Sequence, residues 1–357
     1  MSAGPEGIVR DEIRALSAYH VPAADGMVKL DAMENPYTLP ETLRREIGDA
    51  VANAALNRYP DPSAPALKAR LRRVMEIPER CDIVLGNGSD ELIQVITQCV
   101  ARPGAAVLTP TPTFVMYGMY AVFCGMRYAG VPLKTDFSLD AGRFLAAIAE
   151  HKPALVFIAY PNNPTGNLFP EDAVAEIIAA APGLVVLDEA YHLFAGKTFL
   201  PRLAEFPNLV VMRTLSKLGL AGIRLGYAVG RPEWIREFDK VRGVYNVNVL
   251  TQLVAEKVLA RYEVIEEQAK NIRAGRERLA GGLRTLPGVI PYPSDANFIL
   301  ARVPDAARAF EGLTRRRVLV KNFPGHPMLG PCLRMTVGTP EENEKLVSAL
   351  AETLAGH

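Results

Sequence analysis

Short apolar runs rich in β-branched residues alternate with longer stretches of helical spacing from about residue 83 to residue 230. Six of these runs predict buried strands: "DIVLGNG", "AAVLTPTP", "ALVFIAYP", "GLVVLDEA", "NLVVMRTLS" and "LGYAVG". Between them, "SDELIQVITQCVA" and "PEDAVAEIIAAAP" place their apolar residues at helical intervals. The alternation predicts an α/β fold with a mostly parallel sheet that helices cover on both faces.

The pattern changes beyond residue 247. Residues 247 to 285 carry one long helical pattern, and the apolar runs "NFILARV", "RVLVKN" and "LRMTVG" follow it. This change predicts a second, smaller α+β domain. We therefore expect an N-terminal arm (1–45) that joins the small domain, a large domain (46–246) and a small C-terminal domain (247–357).

The composition is typical of a globular protein with a large core. Of the 357 residues, 49% are hydrophobic and 22% are charged, and the net charge is +1. There is no basic excess for nucleic acid, and no uncharged apolar stretch approaches the roughly 18 residues of a membrane span. The four cysteines form no C-x-x-C pair and the five histidines lack ligand spacing, so we expect neither a metal site nor disulfides. Charged residues near the N-terminus argue against a signal peptide, and a cytoplasmic setting is expected.

Polar residues follow the predicted strands at the points where the apolar runs end. In open α/β sheets, ligands bind beyond the carboxyl ends of the strands. Five polar segments are therefore expected to converge on one rim of the sheet: Gly86–Glu91, Thr109–Thr113, Pro161–Gly166, Asp188–Tyr191 and Thr214–Lys217.

Taken singly, these segments allow both structural and functional interpretations. "GNGSDELI" offers either a phosphate seat at a helix N-terminus or simple capping of that helix by Ser89. A dinucleotide-binding loop is excluded, because Glu91 stands where its third glycine belongs. Asp188 is either a solvated strand end or a buried anion that awaits a cationic partner. Lys217 either covers apolar surface with its stem or carries out chemistry with its amine.

The set of motifs is more specific than any one of them. Asn163-Pro164-Thr165-Gly166, Asp188 with Tyr191, and Ser216-Lys217 with Arg224 occur in this order along the chain. Their order and rough spacing resemble those of fold-type I aminotransferases that use pyridoxal 5'-phosphate. The segments "LSAYHVP", "KLDAMENPY", "NRYPDP", "VLVKNF" and "CLRMTVGTPEEN" are similar to those of one group, the histidinol-phosphate aminotransferases. The resemblance covers nearly the whole chain.

The resemblance implies roles for the residues around the cofactor ring, which the protein must hold and tune. Lys217 would hold the cofactor covalently and then move a proton between the substrate and the cofactor. Asp188 would keep the pyridine nitrogen protonated. Asn163 and Tyr191 would donate hydrogen bonds to the ring oxygen, and Phe114 would stack on the ring.

The resemblance also implies a phosphate seat and a substrate pocket. The phosphate would contact the backbone of Gly88, Ser89 and Asp90, the hydroxyls of Thr214 and Ser216, and the guanidinium of Arg224. Tyr59 would reach the phosphate from the neighbouring subunit of a homodimer, although packing at a turn before Pro60 would also explain it. Arg334 and Tyr19 would contact the substrate, with Arg334 taking its anionic group.

Two features depart from the family pattern. The segment from Lys217 to Arg224 is one residue shorter than is common, so the arm that delivers Arg224 is expected to be tighter. Met33 stands where many relatives have asparagine.

The implied reaction exchanges an amino group between L-histidinol phosphate and 2-oxoglutarate by a ping-pong route in histidine biosynthesis. Three alternatives stay open: an aromatic-amino-acid aminotransferase, a threonine-phosphate decarboxylase, and a non-catalytic binding or regulatory module on the same scaffold. The intact set of Lys217, Asp188, Asn163 and Arg224 disfavours the module.

Overall fold

The computed structural model describes residues 4–18 and 22–356. Its helices are α1 (Asp11–Arg14), α2 (Glu41–Ala52), α3 (Pro65–Val74), α4 (Ser89–Val100), α5 (Met116–Phe123), α6 (Ala141–His151), α7 (Glu171–Ala180), α8 (His192–Ala195), α9 (Pro232–Val241), α10 (Val249–Leu259), α11 (Tyr262–Arg284), α12 (Ala306–Arg315) and α13 (Pro340–Ala355). Its strands are β1 (Val28–Lys29), β2 (Asp82–Gly86), β3 (Ala106–Thr111), β4 (Arg127–Pro132), β5 (Leu155–Ala159), β6 (Leu184–Asp188), β7 (Leu209–Thr214), β8 (Gly226–Gly230), β9 (Ile290–Pro291), β10 (Phe298–Arg302), β11 (Val318–Leu319), β12 (Lys321–Asn322) and β13 (Cys332–Thr336). Short 3₁₀ turns cover Pro5–Gly7, Leu200–Ala204, Ser216–Leu218 and Ala221–Ile223.

A seven-stranded sheet forms the centre of the larger part of the chain, in the order β2-β8-β7-β6-β5-β3-β4. β8 runs antiparallel to both β2 and β7, and the other neighbours are parallel. All six predicted strands are present, and the predicted α/β fold with a mostly parallel sheet is confirmed. β4 was not predicted, because its side chains are mostly exposed or half-buried at the sheet edge and form no apolar run.

Helices cover both faces of this sheet. On β6, Val185 and Leu187 belong to one apolar cluster, whereas Leu184 and Val186 belong to another on the opposite face. A strand buried on both faces needs apolar residues at successive positions. That requirement explains why "LVVL" shows no alternation of polar and apolar residues.

The smaller part of the structure combines a four-stranded antiparallel sheet, β12-β13-β10-β9, with helices α11, α12 and α13. The N-terminal arm joins it through β1, which pairs in parallel with β11, Val28 opposite Val318. The long helical pattern predicted over 247–285 forms two helices, because the first ends at Leu259 and the second begins at Tyr262. The two pieces pack differently: α10 lies against α2 and α3, whereas α11 lies against α8 and α13.

Within the described residues, no helix combines the length and the apolar character that crossing a membrane requires.

Candidate active site

A cavity opens at the carboxyl ends of the central strands, where the polar segments were expected to converge. Its lining residues are Met33, Ser89, Asp90, Phe114, Tyr117, Ala159, Asn163, Asp188, Ala190, Tyr191, Thr214, Ser216, Lys217 and Arg224. The structure therefore brings together most of the site residues proposed from the sequence. They come from strand ends that are adjacent in the sheet but far apart in the chain.

Lys217 lies within this cavity rather than across the protein surface. It belongs to the 3₁₀ turn Ser216–Leu218, which follows β7, and its Nζ donates a 2.9 Å hydrogen bond to the carbonyl oxygen of Ala32. Burial, followed by the positive charge of Arg334, lowers the pKa of Lys217 to about 8. A buried amine with a lowered pKa carries a larger neutral, nucleophilic fraction near neutral pH than an exposed lysine does.

Asp188 is a buried carboxylate with both oxygens in hydrogen bonds. The Tyr117 hydroxyl donates to Oδ2 at 2.7 Å, and the backbone N–H of Ala190 donates to Oδ1 at 3.1 Å. Burial raises the pKa of Asp188 to about 6, and these two hydrogen bonds oppose the rise. A solvated strand end would have neither feature, so Asp188 is a buried anion placed to meet a cation.

Tyr117 is a site residue that sequence reasoning missed. It is fully buried on α5, its ring stacks on Phe157 with centroids 4.6 Å apart, and it contacts Phe114 edge to face at 5.6 Å. The available signal was its position in "TPTFVMY", three residues after Phe114.

Asn163 and Arg334 are joined by a direct hydrogen bond. Nη1 of Arg334 donates to Oδ1 of Asn163 at 2.5 Å, and Nη2 donates to the carbonyl oxygen of Asp31 at 2.7 Å. Because the amide oxygen of Asn163 accepts this bond, its NH₂ group is oriented away from Arg334 and can donate elsewhere in the cavity. Phe298 supports the pair, with the Arg334 guanidinium 5.5 Å from its ring centroid and Tyr191 packed edge to face at 5.2 Å.

The N-terminus of α4 forms the other end of the cavity. The suggestion that Ser89 caps this helix is wrong: Gly88 occupies the cap position with φ 85°, and Ser89 is the first helical residue. A side chain at position 88 is disfavoured by the left-handed φ, and its Cβ would lie 2.6 Å from Nη2 of Arg224, which would have to move. The exposed backbone N–H groups of the helix thus face the cavity without a side-chain cap.

Arg224 and two hydroxyls complete this end. Nη1 of Arg224 donates to Oγ of Ser216 at 3.3 Å, and Oγ1 of Thr214 lies 3.0 Å from the same Oγ. Nη2 of Arg224 lies 3.3 Å from Oδ2 of Asp90. The short segment before Arg224 is accommodated by two consecutive 3₁₀ turns and a left-handed Arg224 at φ 52°.

These residues fit pyridoxal phosphate at each of its polar groups. Helix N–H groups, hydroxyls and a guanidinium suit the phosphate. At the other end, a buried carboxylate suits a protonated ring nitrogen, a free amide donor suits the ring oxygen, and the Lys217 amine suits the aldehyde.

A buried ion pair lies beside the cavity and was also missed. Glu189 follows Asp188, Arg213 precedes Thr214, and their side chains meet at 2.7 and 3.0 Å. Thr198 and the backbone N–H of Phe199 also bond the Glu189 carboxylate, the latter at 2.6 Å. The pair ties the end of β6 to the end of β7, the strands that carry Asp188 and Lys217. No local pattern pairs residues this far apart in the chain.

A wider cleft adjoins the cavity and shares Met33, Phe114 and Asn163 with it. Arg334 on β13 and Lys321 on β12 both line this cleft, and the two residues are partners in the antiparallel register. Lys321 stands within "VLVKNF" but was not proposed from the sequence. The cleft therefore presents two cationic side chains next to the position of Lys217.

Tyr59 and Tyr19 are the two remaining residues that were proposed from the sequence. Tyr59 does not line the cavity of its own chain; its side chain is 80% exposed and stacks on Tyr245 with centroids 4.3 Å apart. Leu56 and Val244 are exposed as well. Tyr19 lies outside the described residues.

Comparison with known proteins agrees with this geometry. The family model for aminotransferases of class I and II matches residues 25–350. Histidinol-phosphate aminotransferase 1 of Ralstonia nicotianae is 57% identical, covering 97% of this chain and 94% of that protein. Histidinol-phosphate aminotransferase 2 of Burkholderia pseudomallei is 56% identical, covering 97% and 98%.

Among solved structures, the histidinol-phosphate aminotransferase of Sinorhizobium meliloti in complex with pyridoxal-5'-phosphate superimposes with a TM-score of 0.87. It is 27% identical, and the match covers 99% of this chain and 98% of that one. The matched lengths leave no large part of the chain outside the comparison. The chain belongs to the class I and II aminotransferase family, in the group of its members named histidinol-phosphate aminotransferases.

Proposed function

We propose that this protein is a pyridoxal phosphate-dependent aminotransferase that exchanges an amino group between L-histidinol phosphate and 2-oxoglutarate in histidine biosynthesis. The observation that carries the proposal is the placement of Arg334 and Lys321 in one cleft, directly beside the cavity that holds Lys217. Two cationic side chains there suit a phosphorylated amino donor. The names of the relatives support the same substrate.

When bound, pyridoxal phosphate supplies an electron sink for the carbanion that forms at the substrate α-carbon. Asp188 would hold the proton on the ring nitrogen, and the Tyr117 hydroxyl orients the Asp188 carboxylate. Asn163 and Tyr191 would bind the ring oxygen, and Phe114 would pack against the ring. Gly88, Ser89, Asp90, Thr214, Ser216 and Arg224 would bind the phosphate.

Lys217 would hold the cofactor, and its amine would then take the proton from the substrate α-carbon and return it in the reverse direction. This role requires an amine that is neutral when it accepts the proton, and its lowered pKa meets that requirement.

Arg334 serves both substrates in this proposal. Its guanidinium fork fits the phosphate of histidinol phosphate in one half-reaction and a carboxylate of 2-oxoglutarate in the other. Lys321 adds a second positive charge, which favours a phosphate dianion over a single carboxylate.

The proposal includes a homodimer with shared sites, acting in the cytoplasm. Tyr59, Leu56 and Val244 expose large apolar side chains, as residues that are buried between two chains would do in a single chain. A Tyr59 that is not part of its own cavity is free to contribute to that of its partner. The three-part division at residues 45 and 246 also remains part of the proposal.

A side-by-side assay tests the substrate. Histidinol phosphate, phenylalanine, tyrosine and threonine phosphate are each offered to the purified protein with 2-oxoglutarate, and glutamate and carbon dioxide are measured. We expect glutamate to form fastest when histidinol phosphate is the amino donor. A preference for an aromatic amino acid, or carbon dioxide release from threonine phosphate, selects the corresponding alternative. A colourless protein without any activity would select the binding module.

A further inference from the structure

His326 organises the loop between β12 and β13 through both its backbone and its side chain. Its backbone N–H donates to the Phe323 carbonyl at 3.2 Å, and its carbonyl accepts from Gly330 at 2.8 Å. Its ring Nδ1 accepts from the backbone N–H groups of Met328 and Leu329 at 3.2 and 3.1 Å. The side chain is thereby fixed within the loop.

These contacts determine the tautomer of the ring. Nδ1 can accept two N–H donors only when it carries no proton, so the proton of the neutral ring is on Nε2. Partial burial lowers the pKa of His326, which favours the same neutral form. Nε2–H is therefore a fixed donor, and among the described residues it has no protein acceptor.

The ring lines the wide cleft beside the cofactor cavity. Since its Nδ1 edge is engaged by the loop, the opposite edge with Nε2 is the part that can face the cleft. Two other polar side chains of the cleft already have protein partners: Tyr128 is bonded to Thr109, and Thr113 donates to Asn162, both at 2.7 Å. Apolar residues such as Phe114, Met119 and Val122 make up much of the remaining wall.

The proposed substrate has three branches that must be placed. Its amine has to reach Lys217, and its phosphate has to meet Arg334 and Lys321. The imidazole ring is the third branch, and the space left for it is the remainder of the cleft. A neutral imidazole carries one ring nitrogen that accepts a hydrogen bond.

We propose that Nε2–H of His326 donates a hydrogen bond to the acceptor nitrogen of the substrate imidazole and makes His326 a specificity-determining residue. The inference rests on the proposed function, because it assigns one branch of that substrate. A ring without a nitrogen acceptor would leave this donor unpaired on binding. Such a mismatch discriminates against phenylalanine and tyrosine.

Two variants separate this role from a purely structural one. His326→Asn keeps a carboxamide oxygen where Nδ1 stands, so the loop N–H groups retain their acceptor while the distal donor is lost. His326→Gln places a carboxamide N–H near the position of Nε2 but removes the acceptor for the loop. Thermal unfolding of both holoenzymes measures the structural effect independently of catalysis.

The proposal predicts that His326→Asn raises the KM for histidinol phosphate by roughly threefold to tenfold, the effect of one neutral hydrogen bond. Its KM for 2-oxoglutarate and its kcat should not change, and His326→Gln should have a KM for histidinol phosphate closer to wild type. The opposite order, in which Asn behaves as wild type and Gln is impaired with both substrates, assigns His326 to the loop alone and overturns the proposal.

A measurement on the unaltered enzyme applies even if neither variant folds. Histidinol phosphate is compared with its phenyl counterpart, in which the same aminopropyl phosphate carries a benzene ring. The imidazole compound should bind at least threefold more tightly, whereas equal constants overturn the proposal. Failure of the proposed function would look different, because wild-type enzyme would then not transaminate histidinol phosphate at all.

Discussion

The Tyr117 hydroxyl donates a 2.7 Å hydrogen bond to Oδ2 of Asp188, and both side chains are buried. This bond stabilises the charged form of a carboxylate whose pKa burial raises to about 6. Removal of the donor therefore raises the pKa further. We expect Tyr117→Phe to move the acidic limb of the kcat/KM profile upward by about one to two pH units, since a hydrogen bond to a charged group contributes roughly 1.5–3 kcal/mol.

The phenyl ring of this variant keeps the stacking on Phe157, so packing is controlled within the same experiment. Activity at pH 8.5 should be affected much less than activity at pH 6. An acidic limb at the wild-type position would show that Tyr117 does not influence the protonation of Asp188.

Asp188→Asn tests the carboxylate itself. An amide of nearly the same shape preserves the cavity, and the phosphate contacts around Arg224 are untouched, so cofactor should still bind. The amide cannot stabilise a protonated ring nitrogen, and loss of such an electrostatic contact typically costs on the order of 10²–10³ in rate. Steady-state kinetics and the cofactor content of the purified variant are the measurements. A kcat within threefold of wild type would remove Asp188 from the proposed role.

The lowered pKa of Lys217 predicts a specific pH dependence in cofactor-free protein. Lys217 should react with an amine-specific reagent with a midpoint near pH 8, below that of exposed lysines. Arg334 contributes to this lowering, so Arg334→Gln should raise the midpoint. Peptide mapping after labelling across a pH series measures both effects. A midpoint above pH 10 in the wild-type protein would contradict the assignment.

Much of the site could be predicted because it is built from strand ends. Asp188 directly follows an apolar run, Thr214 follows another with only Arg213 between, and the carboxyl ends of parallel strands meet at one edge of a sheet. The motifs then indicated which chemical group stands at the end of each strand. Burial of the strands on both faces made the runs long and easy to recognise.

The missed features depend on contacts between distant segments. The bond from Lys217 to the Ala32 carbonyl joins residues that no local pattern relates. The same holds for Glu189 with Arg213, and for Lys321, which became significant only when β12 paired with β13 opposite Arg334. β4 was missed for another reason, because an edge strand with mostly exposed side chains gives no apolar signal.

The Glu189–Arg213 pair predicts an unusual pattern of stability. Arg213→Met leaves the Glu189 carboxylate buried without its cation and should cost about 3–5 kcal/mol. Adding Glu189→Leu removes the unpaired buried charge, so the double variant should regain most of the lost stability. The urea unfolding midpoints of the wild-type protein, the single variant and the double variant are compared at fixed protein and cofactor concentrations.

An exposed ion pair provides the control for this prediction. Lys240 and Glu237 lie 2.6 Å apart on α9 with side chains 67% and 50% exposed, so Lys240→Met should barely move the midpoint. A double variant that is no more stable than Arg213→Met would indicate that the pair contributes through packing rather than charge.

The last prediction is that Tyr59 completes the active site of the partner chain. Its side chain is 80% exposed and absent from the cavity of its own chain, whereas Asp188 and Lys217 line one cavity together. A C₂ dimer would contain two equivalent sites, each combining Lys217 of one chain with Tyr59 of the other. Tyr59→Ala and Lys217→Ala should each inactivate or strongly impair the homodimer.

Mixing these two inactive proteins discriminates between the arrangements. In the mixed dimer, the Tyr59→Ala chain keeps its own Lys217 and receives an intact tyrosine from its partner, so one site is whole and activity should recover. Mixing Lys217→Ala with Asp188→Asn is the matched control, because both residues serve the same chain and no whole site can form. If Tyr59 acted within its own chain, the first mixture would stay as inactive as the control although the heterodimer had formed.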